Sequence, residues 1–372
     1  MTENVLILSI DGGGIRGYIP ALILEGIEKL ANQKLGKDKP SKSYIPLGGA
    51  FDLLGGTSTG GLIALSMALH IEDYCRNSRN RDRGQREEIF YEYKSMKNIV
   101  DYYEGRGREI FTSGFNIGPG KTSSQHSEEG IETFLKKELG RETKLADLRK
   151  AVGVYTYDLR ANRALMLSNK EARTQGVEIG RAERIKLWEA ARATAAAPTY
   201  FPAIEIDGML LIDGGVYINN PALDLYLYAR EIFPSAQKYL MISLGTGEYR
   251  HDYTSCKTSG LYGWFLSGEG LVFNGSGALI EVMMNGMAQA VDAQMRRLES
   301  DNSNRLTYLR IQTNLTRNIA LDDGTQDNMN MMKSAVKRTL EEASLNRSYK
   351  NVISTIIDKL QTSEPVPMNP RL

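Results

Sequence analysis

Short apolar runs alternate along the chain with longer stretches in which apolar residues return every three or four positions. The first pattern predicts buried strands over residues 5–10, 50–54, 152–157, 164–167, 209–212, 239–244 and 306–311. The second predicts helices over 20–36, 87–104, 128–139, 185–195, 278–298, 328–343 and 349–360, with further helices after Gly60 and after Pro221. In the first helix Pro20 opens the segment and Leu22, Ile23, Ile27 and Leu30 share one face. Strands alternating with helices define an α/β fold: a mostly parallel central sheet flanked by helices on both faces. Beyond Glu248 the alternation loosens, which divides the chain into residues 5–247 and a C-terminal helical extension, 248–372, packed on it in the same globular unit.

Composition narrows the class without naming a reaction. At 372 residues the chain can bury a sizeable core as one large domain or two modest ones. Its 46 basic and 45 acidic residues leave a formal charge of +1, so no chain-wide field draws nucleic acid, and no nucleic-acid partner is expected. Arg76, Arg79, Arg81, Arg83 and Arg86 are interleaved with acids, the pattern of a solvated face. The first residues lack the basic start of a signal peptide, and Cys75 and Cys256 show neither metal nor disulfide spacing. A cytoplasmic location follows, with any lipid met from the surface because no run is long enough to span a bilayer. Met283, Met284, Met287 and Met295 crowd one helix, a pattern more often core than lipid-facing.

The candidate chemistry starts at Gly56-Thr57-Ser58-Thr59-Gly60, between a predicted strand and the run Leu62-Ile63-Ala64-Leu65. Strand, glycine-bracketed turn and small-residue helix make the layout of a nucleophile elbow. A serine at so sharp a bend occupies a sparsely allowed conformation, and bulky neighbours would clash with the departing helix. The helix N-terminus aims its amides back at the serine, where they stabilise developing negative charge. Ser58 is the candidate nucleophile, although the spacing also occurs in ordinary turns.

The first predicted strand ends in Asp11-Gly12-Gly13-Gly14-Ile15-Arg16-Gly17, and Gly12, Gly14 and Gly17 match a dinucleotide fingerprint. That fingerprint needs an acid at the end of a second strand about twenty residues on. Here the position falls in or just past the helix, before a lysine-rich loop. The other use of such a loop is to present consecutive backbone N–H groups to an oxyanion. Gly118-Pro119-Gly120-Lys121-Thr122 is like the end of a P-loop, but the motif's first glycine would fall on Phe115, so 113–127 reads as a polar loop near the site. For the base there are three histidines: His70 is too far along its own helix, while His126 and His251 lie in loops. His251, after Asp213, suits the chain order of an α/β-hydrolase triad. The alternative is Asp213 itself, at the end of a buried strand and before two glycines, if desolvation raises its basicity.

In this order and with these gaps, Asp11-Gly-Gly-Gly-Ile-Arg16-Gly17, Gly56-Thr-Ser58-Thr-Gly60, Ala193-Thr-Ala-Ala-Ala-Pro198 and Asp213-Gly-Gly resemble the patatin-like phospholipase family over residues 5–247. The resemblance implies a three-layer fold and a metal-free, cofactor-free Ser-Asp dyad, with Ser58 as nucleophile in an elbow of Gly56, Thr57, Thr59 and Gly60, and Asp213 as base. It implies an oxyanion hole at Gly12, Gly13 and Gly14, with Arg16 fixing the loop or meeting the anion. The reaction implied is hydrolysis of membrane phospholipid esters at the lipid surface, the alternative being a catalytically weak lipid or nucleotide sensor on the same fold. It extends to bacterial antiphage effectors switched on by cyclic nucleotides, so such an activator and an oligomeric state are among the partners it raises.

Overall fold

The computed structural model describes the backbone of residues 4–36, 45–82, 95–105, 128–170, 179–198, 200–250, 278–301 and 305–362, with side chains except at 71–82, 128–129, 179–180 and 278–280. The predicted features at 83–94, 113–127 with His126, and 251–277 with His251 and Cys256 lie outside the described residues, as do the side chains of Cys75 and of the arginine-rich stretch.

One eight-stranded sheet organises the chain: β1 (Asn4–Ile10), β2 (Leu53–Thr57), β3 (Ala151–Asp158), β4 (Arg163–Ser168), β5 (Ile204–Ile206), β6 (Met209–Asp213), β7 (Lys238–Leu244) and β8 (Leu306–Ile311). Strands β3, β2, β1, β7 and β8 lie side by side in parallel, which is why their sequences are apolar on both faces. In β1, Leu6, Leu8 and Ile10 pack into one core, and Val5 and Ile7 into the other. The first core is closed by α1 (Tyr18–Lys34), α2 (Thr59–Asp82), α9 (Gln326–Ala343) and α10 (Arg347–Thr362). The second is closed by α7 (Ala222–Ile232) and α8 (Ala278–Asp301). This is the helix–sheet–helix arrangement expected from the alternating pattern. Between them in sequence come α3 (Met96–Glu104), α4 (Glu128–Leu139), α5 (Ile179–Ala182) and α6 (Leu187–Thr194). No helix among the described residues is long and apolar enough to cross a membrane.

The sheet runs across the 247/248 boundary, because β8 pairs with β7 in parallel. The last helix is also tied to the sheet: Asp52 accepts the Leu6 N–H at 2.7 Å and an ion pair from Lys359 of α10. The predicted strand at 50–54 starts later than its apolar run suggests, since Leu47–Ala50 forms a 3-10 turn and the strand continues through Gly55, Gly56 and Thr57. Glycine is required there by contact, because a Cβ at Gly55 would lie 2.5 Å from the Leu225 side chain of α7.

Strand β3 determines where the site forms. Its residues 153–158 pair on one edge with β4. The other edge is shared: β2 takes residues 151–155 in parallel, and β6 takes 156–158 antiparallel. Thr57 is paired with Tyr155 and Asp213 with Thr156, so β2 and β6 run toward each other and their C-terminal ends meet. The β5–β6 hairpin that orients β6 turns at Asp207 and Gly208, both with positive φ, as a two-residue turn of this kind demands.

Candidate active site

Ser58 follows the last residue of β2 with φ of 55°, a left-handed conformation costing an L-residue about 1–3 kcal/mol. Surrounding contacts hold it there. Its N–H donates to Thr194 Oγ1 at 3.0 Å, the Thr194 hydroxyl donates to the Tyr155 carbonyl at 2.7 Å, and Leu62 N–H donates to the Ser58 carbonyl at 3.1 Å as the first turn of α2. The Thr57 hydroxyl donates to the Ile218 carbonyl at 2.7 Å, and the Thr59 hydroxyl shares a hydrogen bond with the Tyr103 hydroxyl. Backbones crowd the bend: a Cβ at Gly60 would lie 2.3 Å from the Ile10 carbonyl oxygen, and one at Gly56 would lie 2.3 Å from the Gly60 carbonyl carbon.

Asp213 ends β6 and is buried, 3% exposed. Its carboxylate accepts the Gly215 N–H at 2.7 Å, and the Ser58 hydroxyl stands beside it in the same cavity. Burial pushes its pKa up, the neighbouring Ser58 hydroxyl and the Gly215 N–H pull it part of the way back, and it settles at about 7. A carboxylate of this basicity can take a proton from a hydroxyl near neutral pH.

The glycine loop lies over the same point. Gly12 is its anchor: the N–H donates to the Asn219 carbonyl at 3.0 Å, and the carbonyl accepts from the Thr246 hydroxyl at 2.8 Å. The Gly12 N–H is therefore not available to an oxyanion. Gly13 and Gly14 differ, since neither N–H has an acceptor among the described residues. A trans peptide sets its N–H opposite its carbonyl, so Thr246 on the Gly12 carbonyl turns the Gly13 N–H the other way. Gly14 has φ of 55°, and a Cβ there would meet the Leu321 carbonyl oxygen at 2.2 Å, so only glycine fits. Arg16 is buried in the following 3-10 turn, donates its N–H to the Gly13 carbonyl at 3.0 Å, and is not among the residues lining the cavity.

Asp11, ahead of the loop, is held by a residue the motifs did not single out. Arg310 of β8 makes a two-pronged ion pair with it at 2.8 and 2.5 Å and also donates to Ser243 Oγ at 2.8 Å. Burial works against the Arg310 charge, the Asp11 carboxylate outweighs it, and the guanidinium pKa is raised.

Ser58, Asp213, Gly13 and Gly14 line one cavity of about 280 Å³. Apart from Thr59 and Asn219, its remaining walls are largely apolar, among them Leu62 from α2, Ala195, Pro198, Tyr200 and Phe201 after α6, and Met283, Met284 and Met287 from α8. The methionines of α8 thus divide between two roles, because Met295 is fully buried in the core while Met283 is half exposed at the cavity. No histidine among the described residues lines the cavity, and His70 is buried about three turns along α2 from Ser58. Thr194 and Asn219 hold the site through hydrogen bonds that only the folded backbone brings together, and their sequence context offers no signal for those roles.

Comparison with known proteins bears on the chain's family. The family model described as patatin-like phospholipase matches residues 8–226. Among curated proteins, patatin group M-1 of Solanum tuberosum is 28% identical, covering 89% of this chain and 82% of its own, and patatin-T5 of the same plant matches with the same identity and coverage. Among solved structures, VipD from Legionella pneumophila aligns at 12% identity and a TM-score of 0.31, covering 91% of this chain and 67% of its own. With more than half its length matched by the family model and the family's motifs gathered at one cavity, the chain belongs to the patatin-like phospholipase family, the lipid acyl hydrolases.

Proposed function

We propose that the protein hydrolyses acyl esters of membrane phospholipids through a Ser58–Asp213 dyad. The observation that carries this reading is the Ser58 hydroxyl, held at a strained elbow and sharing one cavity with a buried carboxylate whose pKa of about 7 makes it a base. Asp213 takes the Ser58 proton as Oγ attacks the ester carbonyl, and the Gly13 and Gly14 N–H groups receive the oxyanion. The proton passes to the departing alcohol, leaving the acyl group on Ser58. Water then gives a proton to Asp213 and its oxygen to the acyl carbon, the Ser58 Oγ–carbonyl bond breaks, and Asp213 returns the proton to Oγ. Apolar cavity walls and the exposed side chains of Val216, Val282 and Met283 nearby support approach from a lipid surface, in keeping with an enzyme that meets its substrate peripherally. Fatty acid release from mixed phospholipid vesicles, read by mass spectrometry, tests this: Ser58→Ala abolishes it, and release that survives the substitution ends the proposal.

The sensor alternative predicts a folded protein that a fluorophosphonate does not label. The resemblance supports one finer element, control of the hydrolase by a nucleotide signal in a bacterial effector. Vesicle hydrolysis with and without a panel of cyclic dinucleotides tests it, and a full rate without any of them discards it.

A further inference from the structure

A second, smaller cavity lies against the elbow helix. It measures about 50 Å³ and lies between α2, α3 and α4, with Ile99, Ile131 and Leu135 buried in its wall and Ser66 at its α2 side. Room of this kind, counted as about 10–15 Å³ per water-sized group, takes about three to five such groups. A lining of Leu, Ile and Phe disfavours water and accepts hydrocarbon.

One side chain belongs to both cavities. Leu62 lines the catalytic cavity on one side and this smaller one on the other, a single helical turn beyond Ser58. Ser66, two turns beyond Ser58, lies about 12 Å along the axis of α2, roughly the reach of a ten-carbon chain. An acyl group on Ser58 would therefore run along α2, pass Leu62 and place its last methylenes in the second cavity. Polar groups there are few and placed as a frame. The Tyr102 hydroxyl donates to Glu138 at 2.5 Å, and the Tyr102 ring stands edge-on to Phe134 at 5.4 Å between centroids.

We propose that this cavity is a terminal subsite for the fatty-acyl tail, and that Leu62 is the partition that sets how long a tail the protein favours. The inference rests on the hydrolase reading above, since it needs an acyl group at Ser58. Each methylene that leaves water favours binding about fourfold. Specificity, as kcat/KM, should then rise along p-nitrophenyl butyrate, octanoate and dodecanoate, because the later carbons enter the second cavity.

The test is that ester series on the full chain with two substitutions. Leu62→Ala removes the partition and raises the dodecanoate-to-butyrate ratio of kcat/KM by about tenfold; Ser66→Phe fills the far end and lowers the same ratio by about tenfold. Ratios unmoved in both variants, with butyrate still cleaved, overturn the subsite and leave the hydrolase reading standing. No ester cleavage by the unaltered protein, or cleavage that survives Ser58→Ala, overturns both. A structure of the unaltered protein labelled with a dodecyl phosphonate decides the matter without any substitution: a tail between α2, α3 and α4 supports the subsite, and a tail directed into solvent overturns it.

Discussion

Two turns with the same sequence, Asp-Gly-Gly, close two strands of this sheet and meet opposite fates. Asp11 ends β1's run and Asp213 ends β6, and both are almost completely buried. Asp11 has a guanidinium gripping both its oxygens, while Asp213 has a backbone N–H and a hydroxyl. Burial without a cation raises a carboxylate's affinity for a proton, and a cation beside it opposes the rise. Burial raises the proton affinity of both, so what the same three residues differ in is the partner: an ion-paired anchor for the glycine loop in one place, and a carboxylate with no cation beside it, facing Ser58, in the other. The difference comes from Arg310, about 300 positions from Asp11 in sequence.

Substitutions that exchange the two environments probe this comparison, and the largest effect belongs to the base. Asp213→Asn should lower kcat for ester hydrolysis by about a thousandfold or more, because an amide cannot take the Ser58 proton. Arg310→Ala should leave Asp11 buried without its cation and cost about 3–5 kcal/mol, measured by denaturant unfolding. Adding Asp11→Asn should return part of that loss, since the buried charge is gone. The pH profile separates the turns next: kcat/KM should fall as pH drops below about 7, where Asp213 becomes protonated. Stability should run the other way. Because the folded protein holds the Asp213 proton more tightly than the unfolded chain, ionising Asp213 destabilises the fold as pH rises from about 4 to about 7. Asp213→Asn should therefore raise Tm at pH 8 and leave it near its original value at pH 4, the gain growing across that interval by at most about 1.4 kcal/mol for each step of one in pH. The smallest effect concerns the elbow. Thr194→Val removes the acceptor of the Ser58 N–H and should reduce kcat/KM about tenfold, the worth of one hydrogen bond at the reacting residue.

Much of the architecture was legible in the pattern of apolar positions, because a parallel sheet covered on both sides writes itself as short apolar runs. Residues 152–157 and 239–244 sit inside β3 and β7, and the helix predicted at 185–195 contains α6. The pattern was weakest where strands are built from small residues. Residues 55–57 of β2 carry no apolar signal, since their places are set by contacts from elsewhere in the fold: Leu225 against Gly55, the Gly60 backbone against Gly56 and the Ile218 carbonyl on Thr57. The three-residue β5 was too short to show a period, although its Asp207-Gly208 turn was present in the sequence. At the site, the order of the glycine loop, elbow and Asp-Gly-Gly motifs pointed to the residues that the fold gathers. What the motifs could not convey is which N–H groups of the loop are already used. Gly12 looks like its two neighbours in sequence and differs from them only because the backbone of Asn219 passes beside it.

The meeting of β2 and β6 on one edge of β3 has a consequence for redesign. The gap between nucleophile and base is measured by a single step of β3, from residue 155 to 156, and not by the 154 residues of chain that lie between them. Loops within that long excursion can be lengthened, trimmed or replaced without resetting the reacting distance, as long as the pleat of this one strand is left in register. A one-residue insertion at that step would push the two groups apart and also break the register of β3 with β4.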